Sequence, residues 1–140
     1  MAEYFIDTHV FLRFLTNDVP EQARAVEEIL IEAEKGEIDL FTSVLTLAEI
    51  VWTLEAYYDL PRDDVRDKVI AILNTPGLKV EEADILAQAV SLYADLNIDF
   101  IDAYNAVWTK DQDLSDVITF DTKHFNRIPW INAHTPDEIK

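Results

Sequence analysis

Short apolar runs that end abruptly, with longer stretches of helical spacing between them, constrain this chain more than any other feature. Tyr4-Phe5-Ile6 stops at Asp7-Thr8, and Asp39-Leu40-Phe41-Thr42 stops at Ser43. Leu78-Lys79-Val80 follows the turn Asn74-Thr75-Pro76-Gly77, and Asp116-Val117-Ile118-Thr119-Phe120 runs into Asp121. Runs this short, bounded by turn and capping residues, read as strands. Ile131 to Ala133 adds a final edge strand.

The intervening segments have the period of helices. Val10 to Leu15 begins one. Pro20 stands at a first helical position behind Asn17-Asp18 as cap, and Ala23, Val26, Leu30 and Ala33 keep the spacing until Gly36. Ser43 caps a helix from Val44 to about Tyr57, and Pro61 opens another with Val65, Val69 and Leu73 on its inner face. Ile85, Ala89, Leu92 and Leu96 mark the next, Ile98 to Lys110 contains another, and Thr122–Asn126 forms a short turn of helix. Strands alternating with helices imply an α/β sandwich around a mainly parallel sheet. Neither a repeat nor a linker-like shift in composition interrupts it, so residues 1–140 read as a single domain.

Composition narrows the class. No apolar run reaches the roughly 18 residues of a membrane span, and the first residues lack the basic start and apolar core of a signal peptide. Without cysteine there is neither a disulfide framework nor a thiolate zinc site. These features fit a cytoplasmic protein with no membrane partner. The formal net charge of −17, from 28 acidic and 11 basic residues, runs against nucleic-acid binding, which ordinarily draws on Lys and Arg. Bound divalent cations or a basic partner would reverse that balance locally. For most of these carboxylates a solvated surface is explanation enough.

In parallel α/β sheets, sites form beyond the carboxyl ends of strands. Asp7 follows the first strand and Asp121 the late one. Asp99 and Asp102 open a helix in Ile-Asp-Phe-Ile-Asp-Ala, and Glu49 lies in the helix after the second strand. Each has a structural reading too. Asp7, Asp99 and Asp121 suit helix N-caps, while Asp102 sits among Ile101, Ala103, Ala106 and Val107 beyond a cap already supplied. Glu49 falls at the margin of an apolar stripe with Leu45 and Trp52 on one side, and no Lys or Arg stands at i±3 or i±4 to pair it. Carboxylates gathered at one strand-end surface repel one another unless a hard cation sits between them, and all-oxygen ligation suits Mg²⁺ or Mn²⁺. With His9, His124 and His134 scattered, zinc fits poorly. Metal-assisted phosphodiester chemistry is the function this constellation suggests.

Other motifs fail on their chemistry. Asp111 to Ser115 opens like a Ca²⁺ loop, but Asp116 replaces the glycine and Thr122 the closing glutamate. There is no Gly-rich phosphate loop or nucleophile elbow. Trp52, Trp108 and Trp130 read as core or interface before they read as a base-stacking platform. Two rivals stay open: a non-catalytic module whose acidic pocket accepts a partner's Arg or Lys, and a Ca²⁺- or phosphate-binding regulatory domain.

Four segments together resemble the PIN-domain family, in particular the VapC-like toxins of toxin–antitoxin modules. They are Phe5 to Leu15, Leu47-Ala-Glu-Ile-Val-Trp52, Asp99-Phe-Ile-Asp-Ala-Tyr104 and Val117 to Phe125. The resemblance implies a three-layer sandwich with a five-stranded parallel sheet flanked by helices, and a magnesium- or manganese-dependent endoribonuclease. It puts the acidic core on Asp7, Glu49 and Asp102, gives Asp121 a supporting place at the metal, makes Asp99 an auxiliary acid and Thr119 a hydroxyl that holds the pocket. A small antitoxin with a DNA-binding head, an RNA substrate and a homodimer are the implied partners. An RNA-processing nuclease outside toxin systems is the neighbouring possibility. His9 departs from the asparagine usual two residues after the first aspartate, leaving the role of that side chain open. Arg62, Arg66 and Lys68 on one helix, with Arg13 near the site, are the candidate footholds for RNA.

Overall fold

Parallel strands need long crossovers, and here the crossovers between β1, β2 and β3 are each a pair of helices. In the computed structural model, which describes residues 2–139, strand β1 (Ala2–Phe5) leads through α1 (Thr8–Thr16) and α2 (Pro20–Glu34) to β2 (Ile38–Thr42). Helices α3 (Val44–Ala56) and α4 (Arg62–Leu73) then carry the chain to β3 (Leu78–Val80). After α5 (Ala83–Leu96) and α6 (Phe100–Asp111) come β4 (Asp116–Ile118), α7 (Thr122–Phe125), β5 (Asn132–His134) and a 3₁₀ turn at Pro136–Glu138. All pairings are parallel: Tyr4 lies beside Leu40, Leu40 beside Leu78, and Val117 beside Ala133.

The expected α/β architecture is present, but the single five-stranded sheet is not. The strands form a three-stranded sheet in the order β1-β2-β3 and a separate β4-β5 pair. Tyr4 and Phe5 are consequently more than half exposed. Glu3 and Asp116 put charges on β1 and β4, as unpaired edges commonly do. Strand β4 is also shorter than its apolar run. Thr119 N–H still donates to the His134 carbonyl at 2.8 Å, but the Thr119 hydroxyl then accepts from Asp121 N–H at 3.0 Å and turns the chain. A side chain that captures backbone in this way competes with the ladder.

The caps also differ in one place. Pro20 does open α2, yet its N-cap is Val19, which makes no side-chain capping bond. Asn17 instead ends α1 in the left-handed conformation, and Asp18 pairs with Arg13 and Tyr58.

Leu47, Ile50, Leu54, Val65, Val69, Leu86, Ala89, Val90, Ala103 and Ala106 are fully buried and join one core with Leu40 of β2 and Ile6 just beyond β1. Burying an aliphatic side chain of this size contributes about 1.5–3 kcal/mol. The core seats α3 and α6 firmly, and those helices carry Glu49 and Asp102. A polar clamp reinforces it. The Arg62 guanidinium donates to the carbonyls of Tyr93 (3.0 Å) and Ile98 (2.7 Å) and lies 4.2 Å over the Tyr93 ring. The buried Tyr93 hydroxyl donates to Glu55 at 2.8 Å. Burial and that carboxylate hold the phenol well above its ordinary pKa.

Candidate active site

Ile6, buried after β1, anchors the turn that presents Asp7. Asp7 is the N-cap of α1 and its carboxylate accepts the Thr8 N–H at 2.8 Å. Thr8 is the residue that the sequence did not single out. Its side chain is buried, and its hydroxyl donates to Glu49 Oε1 in a short hydrogen bond. Asp7 and Glu49 are thereby tied through one threonine, although 41 positions separate Thr8 from Glu49. Helix α3 offers Glu49 on an exposed face. The apolar stripe expected around it is in solvent, with Leu45 77% and Trp52 68% exposed. Glu49 therefore avoids the burial cost that its sequence context suggested.

The second group of acids gathers around α6. Asp99 caps the helix and accepts from Ile101 N–H at 3.2 Å. Asp102, in the first turn, is half-buried. Burial raises its carboxyl above the usual range, and the charges of Asp99 and Asp121 push the same way, while His124 opposes them. Asp121 caps α7 and lies 2.8 Å from Nδ1 of His124 through either oxygen. That hydrogen bond, with help from the backbone and from Lys123, holds Asp121 below the usual carboxylate range. Thr119 supports the turn in front of it. Of the three histidines that looked scattered, His124 is part of this group, and His134 bonds Asp116 at 2.9 Å away from it.

The structure thus brings Asp7 to Glu49, and Asp102 to Asp99 and Asp121. Among the described residues, no three His, Asp or Glu side chains close on a common point tightly enough to hold a metal ion. The donor chemistry nevertheless suits a hard divalent cation. Every candidate acid offers carboxylate oxygens, and Asp102, raised first by burial, also feels the negative charges of Asp99 and Asp121, which positive charge would offset.

Most of the expected RNA footholds are already engaged. Arg62 is spent inside the clamp on Tyr93 and Ile98. Arg66 faces Asp63, Asp67 and Asp95 within 4 Å, and Arg13 bonds Asp18 and Gln22. Lys68 lines a cleft beside Asp64 and Asp67.

A parallel sheet with crossover helices and acids gathered beyond its strands makes this an acidic α/β site. The PIN domain profile matches residues 4–131, and the chain belongs to the PIN domain family. It is similar to a VapC ribonuclease of Aquifex aeolicus (strain VF5), 31% identical over 116 residues, which covers 82% of this chain and 84% of that protein.

Proposed function

We propose that this protein is a metal-dependent endoribonuclease and the toxin of a toxin–antitoxin pair, with Asp7, Glu49, Asp102 and Asp121 as its catalytic and metal-holding residues. The observation that carries the reading is the half-buried Asp102 carboxyl, raised by burial and by Asp99 and Asp121, in a chain of the PIN domain family similar to a VapC ribonuclease. Mg²⁺ or Mn²⁺ would be held by the oxygens of those acids, and the chemistry such an ion supplies is to acidify water and to offset charge growing on a phosphate. The chain's own residues set the stage. Thr8 orients Glu49, and His124 with Thr119 fixes Asp121. Asp102, in the first turn of α6, adds its carboxylate to that set. Asp99 is auxiliary, capping α6 and adding negative charge beside Asp102.

The partners in this reading are an RNA substrate, a small antitoxin with a DNA-binding head, and a second copy of the chain in a cytoplasmic homodimer. Among the described residues no helix is long and apolar enough to cross a membrane. The test is cleavage of a mixed pool of structured RNAs by the purified chain in Mg²⁺, Mn²⁺ or EDTA, beside Asp7→Asn and Asp102→Asn. Cleavage that needs metal and disappears in both variants supports the assignment. Wild-type rates in either variant remove that residue from it, and a folded chain that neither cuts RNA nor binds Mn²⁺ returns the PIN fold to an assembly role.

A further inference from the structure

Glu49 has a second neighbourhood. It lines a cleft of about 410 Å³ built from α1, α3 and the residues after α3, with His9, Arg13, Trp52 and Tyr57 among its walls. That volume lies in the range of roughly 300–1,000 Å³ typical of ligand clefts. Two aromatic side chains there stand largely in water, Trp52 at 68% and Tyr57 at 77% exposure. Single exposed aromatics are commonplace. Two on one cleft that also contains a candidate catalytic carboxylate call for an occupant.

The aromatic surface is braced. The Tyr57 ring meets Tyr58 edge-to-face at 4.9 Å and 75°. The Tyr58 hydroxyl donates to Asp18 at 2.8 Å, and Asp18 in turn faces Arg13 at 3.4 Å. Arg13 offsets Asp18, which leaves Glu49 as the carboxylate in the cleft with no ion pair among the described residues. The charge of the whole chain bears on what such a cleft accepts. With −17 overall, and with Arg62 and Arg66 engaged elsewhere, phosphate contacts are a poor source of affinity for RNA. Stacking of bases on aromatic faces needs no cation and works with any base.

We propose that the cleft beside Glu49 is a subsite for one unpaired nucleotide of the RNA, its base held against Trp52 and Tyr57. The inference rests on the ribonuclease reading and adds where the RNA finds its hold. It requires single-stranded or looped RNA, because the faces of bases in a duplex are occupied by their neighbours. It also predicts a shallow salt dependence, since each phosphate contact with a single strand contributes about −0.7 to the slope of log K against log salt.

The test is a fluorescence-anisotropy titration of a fluorescein-labelled ten-nucleotide oligoadenylate with the full chain in EDTA, so that nothing is cut, repeated at several NaCl concentrations. We expect binding that persists at high salt, weakens by roughly 5- to 150-fold in Trp52→Ala, and recovers largely in Trp52→Phe. Trp108→Phe should leave the titration unchanged, and a duplex of equal length should bind poorly. Trp52 is exposed, so its variants should fold, which circular dichroism checks. Equal binding by wild type and Trp52→Ala overturns the subsite. So does metal-dependent cleavage with an unchanged KM in Trp52→Ala, although the ribonuclease reading then stands. A chain that neither cuts nor binds RNA overturns both. A dimer that comes apart on Trp52→Ala while RNA binding is unaffected assigns this face to a second copy and also overturns the subsite.

Discussion

The hydroxyl of Thr8, the buried first residue of α1, donates to the Glu49 carboxylate on α3 and so locks the first candidate acid segment to the second. Thr8→Val keeps the volume and removes the donor. Glu49 is exposed and water will satisfy it, so urea unfolding should change by less than about 1 kcal/mol. Groups that orient site carboxylates typically cost about 10- to 100-fold in activity when lost. We therefore expect at least a tenfold fall in RNA cleavage for Thr8→Val and substantial recovery in Thr8→Ser. Unaltered cleavage by Thr8→Val would mean that Glu49 needs no support from α1.

Asp102 should trade stability for function. Its folded carboxyl holds a proton more readily than an unfolded one, through burial first and then Asp99 and Asp121. A folded pKa above the unfolded value gives stability that is fully present below the unfolded pKa, near 3.8, and lost as pH rises through the folded value. Asp102→Asn mimics the protonated form at every pH. The variant should melt above wild type at pH 7, with the gain vanishing at or below pH 3.8, while its nuclease activity is lost. An Asn variant that melts below wild type at pH 7 would show that the ionised carboxylate is stabilising.

These two residues also mark how far local patterns reach. The strands that precede Asp7 and Asp121, the caps at Ser43 and Asp99, and the order of helices follow from periodicity and capping chemistry, which neighbouring residues determine. Thr8 escapes such a reading because its importance lies in a contact across 41 positions, and a threonine after a capping aspartate looks ordinary. Glu49 is expected on a half-buried stripe because Leu45 and Trp52 are apolar, yet helical spacing cannot say which apolar face a protein leaves open. The division into three and two strands is equally hidden. Pairing between β1 and β4 is a matter of long-range register, to which the short runs Ala2–Phe5 and Asp116–Ile118 contribute almost no pattern.

His134 gives the C-terminal region a pH dependence of its own. The Asp116 hydrogen bond, and secondarily Glu138, raise its pKa above the ordinary 6.5 despite some desolvation. A raised histidine contributes stability that is complete below pH 6.5 and is lost as pH rises through the folded value. His134→Asn should lower the melting temperature at pH 5.5 and have little effect at pH 9. An equal loss at both values would indicate that the neutral ring, and not its charge, holds β4 to the 3₁₀ turn.

Two glycines share a backbone conformation and differ in surroundings. Gly36 (φ +78°) has open space where a Cβ would go, whereas a Cβ on Gly77 (φ +82°) would collide with the backbone carbonyl of Ala33 at the end of α2. Gly36→Ala should cost about 1 kcal/mol, the ordinary left-handed penalty. Gly77→Ala adds a clash with backbone and should cost about 2–4 kcal/mol. Urea midpoints for the pair provide the comparison. Equal losses would mean that α2 moves away from β3 at negligible cost.

Arg62 provides a direct contest between a binding role and a structural one. Its position on a helix with Arg66 and Lys68 suggested a foothold for RNA, but its guanidinium caps the carbonyls of Tyr93 and Ile98 and covers the Tyr93 ring. Hydrogen bonds from a charged donor to partly buried carbonyls contribute about 1.5–3 kcal/mol each and are not fully additive. Arg62→Ala should therefore lose about 2–4 kcal/mol of stability, with Arg62→Lys falling between, since an ammonium cannot reproduce the planar fork and its stacking. Where both variants remain folded, KM for RNA should stay within about threefold of wild type, because the Arg62 bonds go to backbone carbonyls and the Tyr93 ring and none goes to a candidate acid. Stable variants with a much weaker grip on RNA would reverse the assignment and return Arg62 to the phosphate backbone.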